Sequence, residues 1–367
     1  MKFTDYKNSL VNLSNSILKK YNCTTFHPSI SKIDDLIQKH NKIAVILMDG
    51  MGTYLLDTHK DVATNFNKHR FMQITSVYPP TTVAATTSFL TAKYPGETGF
   101  LGWSQPINNF QRNVNVFTNC DTQTGEKIPG PNIINELCPN KKIIHLINEK
   151  CNKRIAYDIY RYPVDKKGPK SFPSFLRRIR KTSRNLDEFF IYGYFNNPDH
   201  TIHNNGTDNK RVKKVIKNYT KRIVRFAAKN KDILVIVIAD HGLIDIKPLF
   251  IDEHQDLKAL LQCPFSLEVR TPNFKIKEGQ NELFEQLFNK YYGDHFKLYK
   301  KEDLNKIKLF TDNKISETAL QFIGDYVAVA KDESALIFEN TAPFKAHHAG
   351  PSEKEMDISI TVFNEVK

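Results

Sequence analysis

No stretch of this sequence comes near the roughly 18 uninterrupted apolar residues that a membrane-crossing helix needs. Its longest apolar candidate, ILVIVIA at 233–239, has only the length of a buried strand. The chain is therefore expected not to span a membrane. Its first residues, MKFTDYKNSLVNLSNSILKKYN, are polar where a secretion signal needs an apolar centre, so no signal is read. The five cysteines (Cys23, Cys120, Cys138, Cys151, Cys263) are odd in number and include no C-x-x-C pair. That excludes a disulfide framework and a zinc knuckle and leaves reduced thiols in a cytoplasmic protein as the expectation. In that setting the Asn205-Gly206-Thr207 sequon carries no glycosylation meaning. Internal repeats and low-complexity tails are also lacking. Disorder is excluded for most of the chain by a 40% hydrophobic content that includes 25 Phe and 15 Tyr.

At 367 residues the chain is at the upper limit for one hydrophobic core, so one large domain with an insertion, or two domains, is expected. Its 53 Lys and Arg against 40 Asp and Glu give a formal charge of +13. Such a charge steers nucleic acid, anionic lipid or small phosphorylated ligands, and sign alone does not choose among them. The densest local run, Arg177-Arg178-Ile179-Arg180-Lys181, falls in an expected helix and reads as a solvated face.

Apolar runs at 43–48, 73–77, 142–147, 188–195 and 233–239 read as strands, with helices expected over 83–92 and 209–229. Alternating strand and helix predicts an α/β core with a mostly parallel sheet flanked by helices. After residue 250 the texture changes to period-2 character followed by amphipathic and charged segments. A small inserted α+β subdomain is expected over 251–325, within a catalytic core formed by 1–250 and 326–367. Residues 326–338 read as a strand pair returning to that core.

In open α/β sheets, ligands collect beyond the carboxyl ends of the strands. Those positions here are rich in metal-ligand types: Asp49 after the first run, Asp199 and His203 after 188–195, and Asp240-His241-Gly242 after 233–239. Taken alone, Asp49 reads as a cap or turn residue. Three such strand ends together point to a divalent ion. Asp199 and His203 share one helical turn, and Gly242 allows a sharp turn beside Asp240 and His241. Oxygen and imidazole ligands without thiolate suit Zn²⁺, Mn²⁺ or Fe²⁺ in a catalytic site. A second constellation, YPPTTVAATTS at 78–88, places Thr81 or Thr82 at a helix N-terminus, where unpaired N–H groups favour an anion. Thr82 could simply cap that helix; it becomes a nucleophile only beside a metal ion.

Met48-Asp49-Gly50-Met51-Gly52, YPPTTVAATTSFLTAKYPGETG at 78–99, Pro198-Asp199 with His203, Ala239-Asp240-His241-Gly242 and His348-Ala349-Gly350 resemble, in order, the alkaline phosphatase superfamily. Within it they are most similar to the type I phosphodiesterase and nucleotide pyrophosphatase family. The resemblance implies an alkaline-phosphatase-like core and two divalent ions, Zn²⁺ first and Mn²⁺ as the alternative. It implies Asp49, Thr82, Asp240 and His241 around one ion, and Asp199, His203 and His348 around the other. His347 is the competing choice for the last ligand. The implied reaction is hydrolysis of phosphoester or phosphoanhydride bonds through a covalent phosphothreonine on Thr82, with backbone N–H groups of Val83 and Ala84 on the phosphate oxygens.

Two departures from secreted animal members weaken a nucleotide assignment. Val83 stands where they carry a base-stacking aromatic, and Gly102-Trp103-Ser104 falls where they carry a phosphate-binding asparagine. Gly99-Phe100-Leu101-Gly102-Trp103 instead resembles an intracellular bacterial subgroup. Trp103, the only tryptophan, is a candidate platform for a base. The expected partner is a small phosphorylated substrate, a nucleotide among the options, with no obligate nucleic acid. Phosphomonoester hydrolysis or phosphoryl transfer on the same metals remains open, as does an inactive basic protein that binds nucleic acid or a membrane surface. A sulfatase is disfavoured because no cysteine lies in a C-x-P-x-R context.

Overall fold

The computed structural model describes residues 1–338 and 343–365. Its centre is a six-stranded sheet in the spatial order Arg70–Thr75, Asp357–Phe363, Leu234–Ile238, Lys42–Met48, Phe189–Phe195, Ala156–Tyr160. All run the same way except Asp357–Phe363, which is antiparallel to both of its neighbours. The strands KIAVILM, FFIYGYF and LVIVI are near-continuous apolar runs because both of their faces are covered. Successive residues point to opposite faces: Tyr192 stacks on Phe89 of the helix Thr82–Thr91, while the next residue, Gly193, lies under Phe175 of the helix Phe172–Ser183. As expected, the result is an α/β layered core with a mostly parallel sheet.

Register decides what this sheet can do. Met48 lies opposite Phe195 and Leu47 opposite Ile238, so three strands end at one level and deliver Asp49, the 196–199 turn and Asp240 to one place. Gly50 sits there with φ +72°, and a Cβ on it would come within 2.9 Å of the Asp199 Cα. Gly242 is required by close approach: a Cβ there would lie 2.0 Å from the Lys354 carbonyl oxygen.

One reading needs correcting, and one element went unread. Residues 142–147, expected as a strand, begin the helix Ile143–Lys150, whose buried Ile143, Ile144 and Ile147 follow a helical period. A short apolar run does not distinguish the two by itself; the edge strand is Ala156–Tyr160. The antiparallel strand Asp357–Phe363 was not anticipated. Its buried Ser359 and Thr361 break the apolar pattern, and Ser359 is satisfied by a 2.8 Å hydrogen bond with the Thr53 hydroxyl.

A second, seven-stranded antiparallel sheet follows the order Phe296–Lys300, Tyr326–Ala330, Thr271–Phe274, Ser266–Glu268, Ser104–Ile107, Arg112–Asn115, Cys120–Asp121. It crosses both limits expected for an inserted unit over 251–325. Three of its strands come from 104–121, and Tyr326–Ala330 stays in it instead of returning to the core. Ser334–Ile337 pairs separately, in parallel, with Lys247–Phe250. Among the described residues no helix is long and apolar enough to cross a membrane.

One buried ion pair ties the second sheet to the turn that leads into Asp357–Phe363. Arg270, between Glu268 and Thr271, sends Nε and Nη2 to the two carboxylate oxygens of Glu355 at 2.7 and 2.9 Å. Both side chains are almost fully excluded from solvent. Glu355 also accepts the Gly350 N–H at 2.7 Å and the Ser352 hydroxyl at 2.6 Å, and the Arg270 Nη1 donates to the Ser334 carbonyl. Breaking a buried pair strands a charge, at a cost of about 3–5 kcal/mol. Arg270→Met should therefore lower the thermal midpoint sharply, and Arg270→Met with Glu355→Leu should recover most of the loss. Equal melting of the wild type and the single variant would show that the pair does not hold these segments together.

Candidate metal centre

Asp49, Thr82, Asp240 and His241 converge at the strand ends. The Thr82 Oγ1 lies 3.3 Å from Asp49 Oδ1, to which it donates, and 3.2 Å from His241 Nε2. His241 Nε2 stands 3.6 Å from a carboxylate oxygen of each of Asp49 and Asp240. The ring is aimed by its other nitrogen: Nδ1–H donates to the Gly242 carbonyl at 3.0 Å, leaving the Nε2 lone pair to face the cluster. The other Asp49 oxygen accepts the Tyr194 hydroxyl. Asp240 Oδ1 accepts the Gly50 and His241 N–H groups, each at 3.0 Å, while its Oδ2 is buried without a hydrogen-bond partner.

Asp199, His203 and His348 adjoin this group. Asp199 and His203 lie one turn apart on the helix Asp199–Asn205, and the Asp199 Oδ1 is 3.2 Å from His203 Nε2 and 3.9 Å from His348 Nε2. His203 is aimed in the same manner as His241, with Nδ1–H donating to the Ala346 carbonyl at 2.8 Å. The Asp199, His241 and His348 donor atoms all lie within 4.8 Å of one another, so the two groups form one continuous centre. His347 lies outside the Asp199–His203 pair, its ring 4.8 Å from that of His203, and shares a second cluster with His348 and Glu268.

Burial sets the electrostatics. It pushes the Asp49 carboxyl well above its usual range, with the Asp240 and Asp199 charges adding to the shift. Burial likewise holds Asp240 up, to about 7. For Asp199 burial acts upward too, but the His203 charge and hydrogen bond outweigh it and the group titrates low. His348 is driven well below its usual value by burial and then by the neighbouring histidines. Buried Asp49 and Asp240 and part-buried Asp199, with open oxygens on Asp199 and Asp240 and the His241 Nε2 lone pair facing the cluster, form an oxygen-and-nitrogen donor set that fits divalent cations.

The helix Thr82–Thr91 carries the nucleophile candidate at its first position. Its N-cap is Thr81, not Thr82, yet the Thr81 hydroxyl does not cap: it donates to Glu268 Oε1 at 2.5 Å. Among the described residues the N–H groups of Thr82, Val83 and Ala84 therefore keep no acceptor. The Val83 side chain is fully buried in the core beneath the second sheet, so only its backbone can meet a substrate. Trp103 is 43% exposed, its ring packs edge-on against Phe117 at 5.8 Å, and its backbone N–H donates to the same Glu268 oxygen at 2.7 Å.

Glu268 was missed from the sequence, where it is one glutamate in a three-residue strand with no local signal. Burial raises its carboxyl to about 7.

The type I phosphodiesterase/nucleotide pyrophosphatase family matches this chain over residues 43–352. The structure is similar to murine ectonucleotide pyrophosphatase/phosphodiesterase 5 at 15% identity, with a TM-score of 0.65 and 88% of each chain covered. The human form of that protein gives 13% identity and a TM-score of 0.64, covering 88% of this chain and 87% of the other. No curated protein sequence matches.

The raised carboxyls predict how metal uptake depends on pH. A group titrating near 7 in the metal-free protein is largely protonated at pH 6, and an incoming cation must expel that proton. Apparent affinity of the chelated protein for Zn²⁺ or Mn²⁺ should rise between pH 6 and 8 by about tenfold per unit for each proton released. Indicator competition titrations should show this slope reduced in Asp240→Asn. Affinity that does not change with pH would contradict the assignment.

Proposed function

Because the chain belongs to the type I phosphodiesterase/nucleotide pyrophosphatase family, whose members are metal-dependent hydrolases, we propose that it cleaves phosphodiester or phosphoanhydride bonds in small phosphorylated substrates, nucleotides among them, with Thr82 as nucleophile. The observation that carries this reading is the Thr82 hydroxyl lying within hydrogen-bond reach of both Asp49 and His241 at an uncapped helix N-terminus. Two divalent ions, Zn²⁺ or alternatively Mn²⁺, held by Asp49, Thr82, Asp240 and His241 and by Asp199, His203 and His348, would supply Lewis-acid stabilisation of developing charge and favour the ionised hydroxyl.

The remaining work falls to the chain. Tyr194 and the Thr82 hydroxyl hold the two oxygens of Asp49, fixing the carboxylate against the nucleophile. The free N–H groups of Thr82, Val83 and Ala84 point where non-bridging phosphate oxygens gain from the helix dipole. Once the Thr82 proton is released, Oγ1 forms a bond to phosphorus as the bond to the leaving oxygen breaks, giving a phosphothreonine ester while the leaving group departs with the electron pair as an oxyanion. Water then attacks from the side the leaving group has vacated and restores the hydroxyl.

Charge favours a diester. Among the described residues no Lys or Arg pairs with Asp49, Asp199 or Asp240. Glu268 adds a further carboxylate within reach of His347 and His348. With the three aspartates neutralised by the proposed cations, the Glu268 carboxylate is the charge left to disfavour a dianionic monoester against a monoanionic diester. An inactive variant of the murine relative binds AMP, which supports a nucleotidyl group as one of the parts recognised; the exposed Trp103 offers it a flat surface. A reducing, cytoplasmic setting belongs to the same proposal and is supported by five free cysteines.

After chelation and metal return, bis-p-nitrophenyl phosphate should be hydrolysed in preference to p-nitrophenyl phosphate. Thr82→Ala should lose at least about 10³-fold in kcat. A monoester preference in the wild type would replace the diester reading with a phosphomonoesterase or phosphotransferase. Assayed at pH 8, above the value near 7 at which Glu268 titrates, Glu268→Gln removes one negative charge while keeping the shape and should move the diester-to-monoester ratio toward monoester by about tenfold; an unchanged ratio would exclude Glu268 from specificity.

A further inference from the structure

The helix that follows Asp199–Asn205 carries a second feature. In the helix Lys210–Lys229, nine of twenty residues are Lys or Arg and none is Asp or Glu. Val212, Ile216, Tyr219, Ile223 and Phe226 bury one stripe and leave the cations on the outside. The C-terminal end of this helix meets the helix Phe172–Ser183, where Arg180 donates to the Lys229 carbonyl at 3.4 Å and to the Asn230 side chain. That second helix adds exposed Arg177, Arg178, Arg180 and Lys181, with Arg184 as its C-cap. The run that reads as a solvated face in the sequence is thereby joined to a larger basic surface.

A solvated face would mix signs, and this one does not. Among the described residues only Lys213 of these cations has a carboxylate at ion-pair distance, Asp61 at 2.7 Å. Lys210, Lys214, Lys217, Lys221, Arg225 and Lys229 recur at three- and four-residue spacing, so neighbours along the helix repel. Lys210 and Arg211 also occupy the first turn, where the helix dipole disfavours positive charge. The arrangement is unfavourable for the isolated fold and becomes favourable when a partner supplies repeated negative charge.

We propose that this two-helix face binds the sugar–phosphate backbone of nucleic acid, independently of base sequence and of the reaction at Thr82. The long helix extends about 30 Å, enough to meet several successive phosphates. Arg supplies about half of the cations, and its forked guanidinium suits phosphate oxygens. Nucleic acid fits better than a membrane, because none of the exposed large apolar side chains lies on either helix and nothing there would insert into lipid.

The test uses the full chain and fluorescence anisotropy with labelled single-stranded and duplex 20-mers between 50 and 200 mM KCl. Wild type should bind with a steep negative slope of log affinity against log salt, about 0.9 per phosphate neutralised on duplex. A Lys214→Glu, Lys217→Glu, Lys221→Glu triple should lose at least about 30-fold in affinity and about two units of that slope. A control triple on the second-sheet side, Lys277→Glu, Lys290→Glu, Lys297→Glu, makes the same change in net charge and should stay within a few-fold of wild type. Thermal melts of both triples verify folding. Equal losses in the two triples, no binding by wild type, or binding to phosphatidylserine vesicles without binding to either 20-mer would each overturn the proposal.

Discussion

The ion pair between Arg270 and Glu355 is the constraint on which the rest of the structure depends. It ties a strand of the second sheet to the segment that carries His347 and His348, and that segment continues directly into the antiparallel strand at Asp357. Around it Thr271 donates to the Ala349 carbonyl at 2.5 Å, and the Gly242 N–H reaches the Glu355 carbonyl at 2.8 Å. A Cβ on Gly350 would lie 2.4 Å from the Arg270 guanidinium, so the turn that carries His348 is pressed against the pair. Two charges out of water repay desolvation only when every oxygen and N–H finds a partner, and the contacts that satisfy Glu355 are also those that set His348 in position. Support for the fold and alignment of the site are the same set of hydrogen bonds.

The main sheet acts by register. Parallel strands with aligned carboxyl ends place acidic residues from distant parts of the chain side by side, a costly arrangement for carboxylates buried without counter-charge. The structure meets part of that cost with hydrogen bonds, from Tyr194 to Asp49 and from backbone N–H groups to Asp240. The oxygens left over, on Asp199 and Asp240, face inward without partners. Such residual demand is the local signature of a cation site, because a cation satisfies several open oxygens at once.

Asp49, Asp240 and His241 were legible because each directly follows an apolar run, and Asp199 with His203 because a four-residue spacing on a short helix is itself geometric information. His348 follows no such run, and only the ordered resemblance pointed to it. Its placement against Asp199, with His347 turned toward Glu268, depends on the 346–356 segment being pinned from a different sheet. Glu268 and the diversion of Thr81 were unreadable for the same reason: their contact joins residues 187 positions apart. Periodicity failed where it carries least information, in the short helix Ile143–Lys150 and in a strand whose buried Ser359 and Thr361 imitate an exposed one. The long helix at Lys210–Lys229 was visible from its pattern, but its partnership with Phe172–Ser183 was not.

The positions where local rules are broken coincide with the candidate sites. A threonine at an N-cap ordinarily turns its hydroxyl onto the helix amides, and losing that bond costs about 1 kcal/mol. Here Glu268 takes the Thr81 hydroxyl and the first-turn amides stay open. A long amphipathic helix ordinarily intersperses acids among its lysines; this one has none. A core ordinarily separates carboxylates, and this one gathers three. Because sequences that fold well agree with local preference nearly everywhere, three departures of this size point outward. The open amides call for an anion, the gathered carboxylates for cations beside it, and the unpaired basic face for a chain of anions. Phosphate chemistry is the common term that satisfies all three.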